Sequence, residues 1–348
     1  MIRTAKMVFV CLSLMIEFSL PGACQTSAEL QDYFKNSIGL SHDQIADIRA
    51  GKAIGKILPS RIPDEIFVFG AVYINAPPES YLRFATDFDR LRTLSEFVAI
   101  RKFSDPPQVT DLEGFTFDSD DIKALKECKP RHCDVQLPAL AMENIQQSIN
   151  WDAPDLDQQV NKLLQRGAIE RLHEYRRIGN EALGSYHDKN RPTDVQKQFE
   201  YMLSYTRVLP EYLPDLHRYL LAYPNARSSN IEDTLYWAKV KFGLKPTLRV
   251  VQVVTMRGQS ANEPAYAIAE KQLYSSHYFE TALDLTFCIR GSVNREQTGF
   301  YLIKEMGSEQ AGLTGVKGSI VRKAAVGRTA SSLQKSLATI KSILEQKQ

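Results

Sequence analysis

The last third of the chain alternates apolar and polar residues with the two-residue period of a β-strand. The clearest run covers residues 277–290, where Leu283 and Phe287 point to one side and Asp284 points to the other. Glycines at short turns between such runs favour antiparallel pairing of consecutive strands. The other runs cover residues 234–242, 247–256, 265–274 and 300–304. This part of the chain is therefore predicted to form an antiparallel meander.

The chain ends in a pattern typical of a long amphipathic helix. Its apolar residues recur every three or four positions on one stripe, which comprises Val326, Ala330, Leu333, Leu337, Ile340 and Leu344. A half-polar sheet must bury its apolar side against another element, and a helix with a single stripe is a suitable partner. We therefore predict an α+β fold in which a curved antiparallel sheet packs against the C-terminal helix.

The first part of the chain predicts further elements of this sheet. Strand-like runs occupy residues 53–58 and 65–75, and a third follows at 97–103. Ser41, with Gln44 three residues later, forms a capping-box pattern that predicts the start of a short helix. A second helix is predicted over residues 79–94. Residues 104–137 are rich in loops, and residues 139–223 carry helical stripes.

The run VYINAPPESY, residues 72–81, ends a strand in Ala-Pro-Pro-Glu and leads into a helix. Together with the C-terminal order of strands and then a long helix, it resembles the START-like (SRPBCC, polyketide-cyclase/birch-pollen-allergen) helix-grip superfamily. The match covers residues 65–103 and 231–344. The resemblance implies a sheet that grips the C-terminal helix around an apolar cavity. It also implies a domain made of residues 25–103 and 231–348, interrupted by a mainly helical insertion at 104–230.

A curved sheet leaves a pocket between itself and the helix, and apolar side chains would line it. The candidates for ligand contact are Tyr236, Phe242, His277, Phe279, Phe287 and Leu337. For each apolar candidate taken singly, packing in the core is the simpler interpretation.

The N-terminus has the pattern of a secretory signal peptide. Arg3 and Lys6 precede an apolar run over residues 7–20, and a Pro-Gly break and small residues follow. The run is shorter than the roughly 20 residues that a membrane span needs. Residues 1–24 are therefore predicted to be cleaved and the mature protein to be periplasmic or secreted. Lipidation of Cys24 remains an alternative.

Cys128 and Cys133 flank the four polar residues Lys-Pro-Arg-His. In an oxidising compartment this spacing predicts a disulfide bond. Two independent thiols are one alternative, and a metal site that includes His132 is another. Because no second Cys/His pair follows at the spacing of a zinc site, no metal is predicted.

Three classes of function stay open. The near-neutral net charge of +2 gives no electrostatic footprint for nucleic acid, so no nucleic-acid partner is predicted. The chain has no nucleophile elbow, zinc-protease, dinucleotide or phosphate-loop motif, so no catalytic residue and no cofactor is predicted. The leading expectation is a protein that binds an apolar or lipid-like molecule without catalysis. The alternatives are a cyclase, dehydratase or hydrolase that uses Tyr236, Glu280 and His277, or an envelope protein that docks a partner through residues 155–223. Paired titratable groups in the cavity would favour the enzyme.

Overall fold

One eight-stranded antiparallel sheet organises the structure, which is a computed structural model. It describes residues 29–206, 211–241, 245–260, 263–294, 297–310 and 315–346. The predicted signal peptide lies outside the described residues. The predicted α+β class is confirmed, since a large curved antiparallel sheet and a C-terminal helix are both present.

The sheet has the order β1-β2-β10-β9-β8-β7-β6-β3. Its strands are β1 (Ile54–Leu58), β2 (Glu65–Ile74), β3 (Phe97–Lys102), β6 (Ile231–Lys241), β7 (Pro246–Arg257), β8 (Tyr266–Ser275), β9 (Phe279–Asn294) and β10 (Gln297–Gln310). A separate two-stranded ribbon pairs β4 (Ser185–Tyr186) with β5 (Thr193–Asp194). The predicted meander is confirmed as β6 to β10. The first strands of the chain extend it at both ends, because β2 pairs with β10 and β3 pairs with β6.

The described α-helices are α1 (His42–Arg49), α2 (Pro78–Ala85), α3 (Phe88–Arg92), α4 (Ser119–Lys126), α5 (Ala139–Ser148), α6 (Leu156–Ile178), α7 (Val195–Tyr205), α8 (Pro214–Ala222) and α9 (Gly315–Gln346). The capping box at the start of α1 is confirmed, with the Gln44 N–H 3.2 Å from the Ser41 hydroxyl. The single helix predicted over 79–94 is instead two helices. Asp87 separates them because its side chain accepts a hydrogen bond from the Arg90 N–H at 2.9 Å, which makes Asp87 the N-cap of α3.

Helices cover both sides of the sheet. On the side that we call the α9 face, Val72 and Leu302 pack against Leu337 of α9. On the opposite side, the insertion face, Phe69 and Phe287 are buried under the N-terminal residues and the helices of the insertion. Because side chains alternate along a strand, Asp284 points to the α9 face while Phe287 points to the insertion face, as the sequence predicted.

Two paired glycines let α9 approach the sheet closely. Gly55 of β1 lies opposite Gly70 of β2. A Cβ atom on Gly70 would lie 2.7 Å from Cδ1 of Leu337, and one on Gly55 would lie 2.5 Å from the carbonyl oxygen of Ala330. The Gly55 contact is with backbone and leaves no room for a side chain, whereas a side chain at Gly70 would require Leu333 and Leu337 to shift. The glycine pair, which we call the glycine seat, therefore fixes α9 over β1 and β2.

The ends of α9 are tied to the same edge of the sheet. Near its start, the Arg322 Nε donates to the carbonyl oxygen of Pro63 at 2.7 Å. Near its end, the Glu345 carboxylate accepts from the Asn75 N–H at 2.7 Å. Since α9 runs along β1 and β2, it leaves the middle strands of the α9 face to α2 and α3.

The predicted disulfide between Cys128 and Cys133 is confirmed and lies between α4 and α5. None of the described helices combines the length and apolar content needed to cross a membrane.

Candidate functional site: a polar groove on the α9 face

On the α9 face, α9 packs on β1 and β2, Tyr81 of α2 belongs to the buried cluster that includes Cys288, and Phe88 of α3 contacts Tyr236. The middle of β6 to β10 on this face, which we call the floor, contains buried apolar residues such as Val251, Ile268 and Leu302. Six side chains on this floor are only half-buried: Tyr236, Arg249, Glu270, Asp284, Lys304 and Met306. Five of the six are polar or charged. We call this set the polar groove.

Two carboxylates lie side by side in the polar groove. Glu270 of β8 and Asp284 of β9 are directly opposed across the strand pair. Burial and the nearby Glu270 carboxylate raise the pKa of Asp284 to about 6, although Lys304 and Arg249 act in the opposite direction. Among the described residues, none donates a hydrogen bond to the Asp284 carboxyl. Asp284 is therefore an acid that exchanges its proton near neutral pH and has acceptor capacity to spare.

Tyr236 presents a hydroxyl beside these carboxylates. The hydroxyl donates to Oε2 of Glu270 at 3.2 Å. The ring lies edge-on to Phe88 of α3, with 5.6 Å between centroids, so α3 fixes its position. Burial and then the Glu270 charge raise the pKa of Tyr236 well above its ordinary value. Tyr236 thus stays protonated and serves as a hydrogen-bond donor.

Lys304 brings a positive charge to the same floor. Burial would lower the pKa of Lys304, but Tyr81 of α2 and the carboxylates of Glu270 and Asp284 outweigh burial and raise it. Tyr81 itself is buried, and burial raises its pKa. The ammonium group therefore remains charged, and the cluster combines two acids, a cation and two phenols.

Arg249 occupies the end of the groove near the β8–β9 turn. Its Nε donates to Oε1 of Gln272 at 3.0 Å, and its guanidinium lies 5.9 Å from the ring centroid of Phe279. This end therefore offers a planar cation beside an aromatic ring.

The residues predicted to contact a ligand divide between the two sides of the sheet. Tyr236 lies on the groove floor and Phe279 at its end. Leu337 lies on the side of α9 that packs against β2. Phe287 is buried on the insertion face, because it is one residue out of phase with the groove-facing positions of β9. Phe242 lies outside the described residues.

His277 is held by the insertion rather than by the groove. Its Nε2 lies 3.0 Å from Oδ2 of Asp121, and its Nδ1 lies 3.1 Å from the carbonyl oxygen of Asp134. Both partners offer acceptor oxygens, so the two contacts attach the imidazole to α4 and to the segment that follows the disulfide. Burial would raise the pKa of Asp121, but His277 and then Lys245 outweigh it and lower that pKa.

The neighbouring serines do not act on this imidazole. The Ser275 hydroxyl donates to the His277 carbonyl oxygen at 2.8 Å, and the Ser276 hydroxyl accepts from the Leu248 N–H at 3.0 Å. The histidine ring therefore joins the insertion to the β8–β9 turn, and no Ser–His pair forms.

A pocket on the insertion face is much smaller than a ligand. Its volume is about 20 Å³, and its lining includes Met202, Leu285 and Glu305. Burial raises the pKa of Glu305, and the Tyr33 hydroxyl donates to its carboxylate. The space suits roughly one water molecule.

Sequence reasoning did not single out Glu270, Lys304 or Arg249. The strand patterns placed polar residues on alternate positions, which is the signal that they share a face. Whether these residues lie next to Asp284 depends on the register of four strands, and the sequence patterns do not give that register.

Comparison with known proteins adds no relative. The chain matches no protein-family model and no curated protein. Within the described ranges, no group of three or more His, Cys, Asp or Glu side chains is arranged to hold a metal ion.

Proposed function

We propose that the protein is an exported binding protein of helix-grip type, which holds a small amphipathic organic molecule in the polar groove. The observation that carries this proposal is the half-buried cluster of Glu270, Asp284 and Lys304 in the middle of an otherwise apolar sheet face. Taking charges out of water is costly, and a core that served packing alone would be more stable with apolar residues there. Contact with a polar group of a bound ligand would account for such a cluster.

The groove also suggests what the molecule looks like. Met306 and the half-buried Val253 offer apolar surface beside the charged groups. The ligand expected from the sequence was apolar or lipid-like. The polar floor supports a molecule with an apolar body and at least one hydrogen-bonding or charged group. The unused acceptor capacity of Asp284 favours a donor on that group.

Export is part of the proposal. The signal peptide predicted over residues 1–24 supports export of the mature chain to the periplasm or out of the cell. The disulfide between Cys128 and Cys133 supports this, because such bonds persist in oxidising compartments.

Native mass spectrometry of the protein purified from a bacterial periplasmic extract tests the binding. We expect an additional mass bound to the wild-type protein and its loss from the variant Glu270→Gln/Asp284→Asn. The matched control is Glu232→Gln/Asp152→Asn, which removes two exposed carboxylates outside the groove. A bare wild-type protein that takes up no added amphiphile would overturn the proposal. So would a species bound equally by both double variants.

A specific observation favours an acid–base enzyme as the second candidate. Asp284, with a pKa of about 6, lies beside a carboxylate that holds the Tyr236 hydroxyl. An acid poised near the working pH and a separate proton donor suit a dehydration or a cyclisation. Of the residues that the sequence suggested for an enzyme, Tyr236 lies in the groove. Glu280 accepts from the Thr193 hydroxyl of the insertion at 2.7 Å instead.

Turnover of the co-purified molecule separates the two candidates. An enzyme would convert it with a pH profile that has a limb near pH 6, and Asp284→Asn would abolish that limb. Recovery of the unchanged molecule after prolonged incubation supports binding alone.

A further inference from the structure

The disulfide loop forms a rigid, positively charged end of the molecule. Lys129 and His132 bridge each other across the loop, with N–H to carbonyl-oxygen distances of 3.1 and 2.9 Å, and Arg131 adopts a left-handed backbone with φ of 72°. With the bond between Cys128 and Cys133, these contacts hold the exposed Lys-Pro-Arg-His tip in one conformation.

A second basic loop is bonded to the first. The Arg131 N–H donates to the carbonyl oxygen of His187 at 2.7 Å, and the Cys133 N–H donates to that of Asp188 at 3.2 Å. This contact brings the exposed Lys189 and Arg191 beside the disulfide loop. The basic end, as we define it, comprises Lys126, Lys129, Arg131, Lys189 and Arg191.

The cations of the basic end are largely unneutralised. Among the described residues, only Lys189 has an acidic partner, Asp188 at 3.6 Å. The exposed acids in the disulfide segment are Glu127 and Asp134. Like charges held together in a rigid loop repel one another, and an anionic surface would relieve that repulsion.

Two exposed apolar side chains belong to segments that are hydrogen-bonded to these loops or to the chain that follows the disulfide. Leu140 is 67% exposed, the most exposed large apolar residue of the described chain, and lies in the first turn of α5. Its helix starts next to Leu137, whose carbonyl oxygen accepts from the His187 N–H at 3.0 Å. Tyr278, 37% exposed, belongs to the turn whose Ser276 carbonyl accepts from the Gln136 N–H.

We propose that the basic end docks on an anionic lipid bilayer. Cations near such a surface attract its headgroups, while isolated protruding Leu and Tyr side chains enter the interfacial layer. An acidic protein partner would instead need a contiguous complementary surface. The apolar residues here are single points among cations, which a fluid interface accommodates. The proposal is independent of the polar groove, which lies on the α9 face.

Sedimentation with phosphatidylglycerol–phosphatidylcholine vesicles tests this docking. We expect the wild-type protein to bind these vesicles, to ignore pure phosphatidylcholine and to dissociate at high salt. The variant Lys129→Gln/Arg131→Gln should lower the partition coefficient about 30-fold, since each cation near the surface contributes about 1 kcal/mol. Leu140→Ser should lower the partition coefficient about tenfold, because it removes an apolar side chain that enters the lipid interface on binding.

The matched control is Arg328→Gln/Lys335→Gln, which removes two exposed cations of α9 and should leave binding unchanged. All substituted residues are exposed, so unaltered circular dichroism will show that the variants fold. Equal binding by the two double variants overturns the proposal, as does failure of the wild-type protein to bind. Binding of soluble polyglutamate, with no effect of Leu140→Ser on vesicle binding, would assign the basic end to an acidic protein instead.

Discussion

At the scale of single residues, Asp284 is the group whose chemistry depends most on its surroundings. Its pKa is about 6 in the fold, against 3.8 ordinarily, because it is buried opposite Glu270. The folded state therefore binds more protons than the unfolded state in this window. The contribution of Asp284 to stability is fully present below about pH 4 and is lost as the pH rises through about 6. The loss is at most about 3 kcal/mol.

Urea unfolding between about pH 4 and 7 measures this contribution, since ionisation of Asp284 is confined to that interval. The wild-type free energy of unfolding should fall relative to that of Asp284→Asn, which has no proton to lose. Glu270→Gln should move the dependence to lower pH by removing the neighbouring charge. Parallel curves for wild type and Asp284→Asn would show that the carboxyl group has an ordinary pKa.

A second prediction concerns Lys271 of β8, which is 1% exposed on the insertion face. Its Nζ donates to the Tyr175 hydroxyl at 3.0 Å and to the Asn180 side-chain oxygen, and lies 3.9 Å from the ring centroid of Phe199. Burial lowers the pKa of Lys271 well below its ordinary value. Between this lowered pKa and the ordinary value of about 10, the unfolded chain binds more protons at this group than the folded chain does, so stability rises with pH through that interval.

Replacement by the apolar Met removes this proton and gives a direct test. The free energy of unfolding of Lys271→Met should lack the rise that the wild-type protein shows, and the variant should be the more stable one at acidic pH. Lys335→Met, at an exposed site of α9, should keep the wild-type slope. An unchanged slope in Lys271→Met would mean that the buried amine is charged when folded.

At the scale of elements, the glycine seat decides where α9 lies. A methyl group on Gly70 meets Leu333 and Leu337, and one on Gly55 meets the α9 backbone at Ala330. Gly70→Val should therefore lower the free energy of unfolding by about 1–3 kcal/mol, the usual effect of overpacking, and displace the helix. Denaturant unfolding measures the loss, and amide exchange of α9 reports the displacement.

Gly327→Ala provides the matched control within α9. A Cβ atom there meets nothing within 4 Å, so the variant should gain up to about 1 kcal/mol from helix propensity. Full stability of Gly70→Val would mean that α9 is not seated on β1 and β2.

The sequence predicted most elements but not how they combine. Period-two runs identified the five strands β6 to β10, and the capping box at Ser41 located the start of α1. Both signals depend only on residues close together in the chain, so they can be recognised in the sequence. The break at Asp87 depends on one side-chain cap competing with an otherwise continuous apolar stripe. The polar groove depends on the register of the four consecutive strands β7 to β10, which local patterns do not give, and Phe287 lies one position out of phase with it.

At the scale of the whole molecule, the insertion shares its core with the sheet. The Trp237 indole of β6 donates to the Asp111 carbonyl oxygen at 2.8 Å, and its ring lies edge-on to Phe115 at 5.5 Å. Arg176 of α6 forms an ion pair with Asp233 of β6 at 2.6 Å. Because apolar side chains of several strands share two cores with the insertion, removing the insertion would expose them.

We therefore predict that residues 104–230 and the sheet unfold in one cooperative transition. The chain has two tryptophans, so in Trp151→Phe the fluorescence reports on Trp237 alone, at the contact between the two parts. Its thermal midpoint should coincide with that of far-ultraviolet circular dichroism, which follows all helices and strands. His277→Gln breaks the contact with Asp121 and should lower both midpoints together. Two separate transitions, or a fluorescence change that precedes the loss of secondary structure, would instead identify the insertion as an independently folding domain. In that case the insertion face could open without loss of the sheet, and the polar groove on the opposite side would be expected to retain its ligand after the insertion had melted.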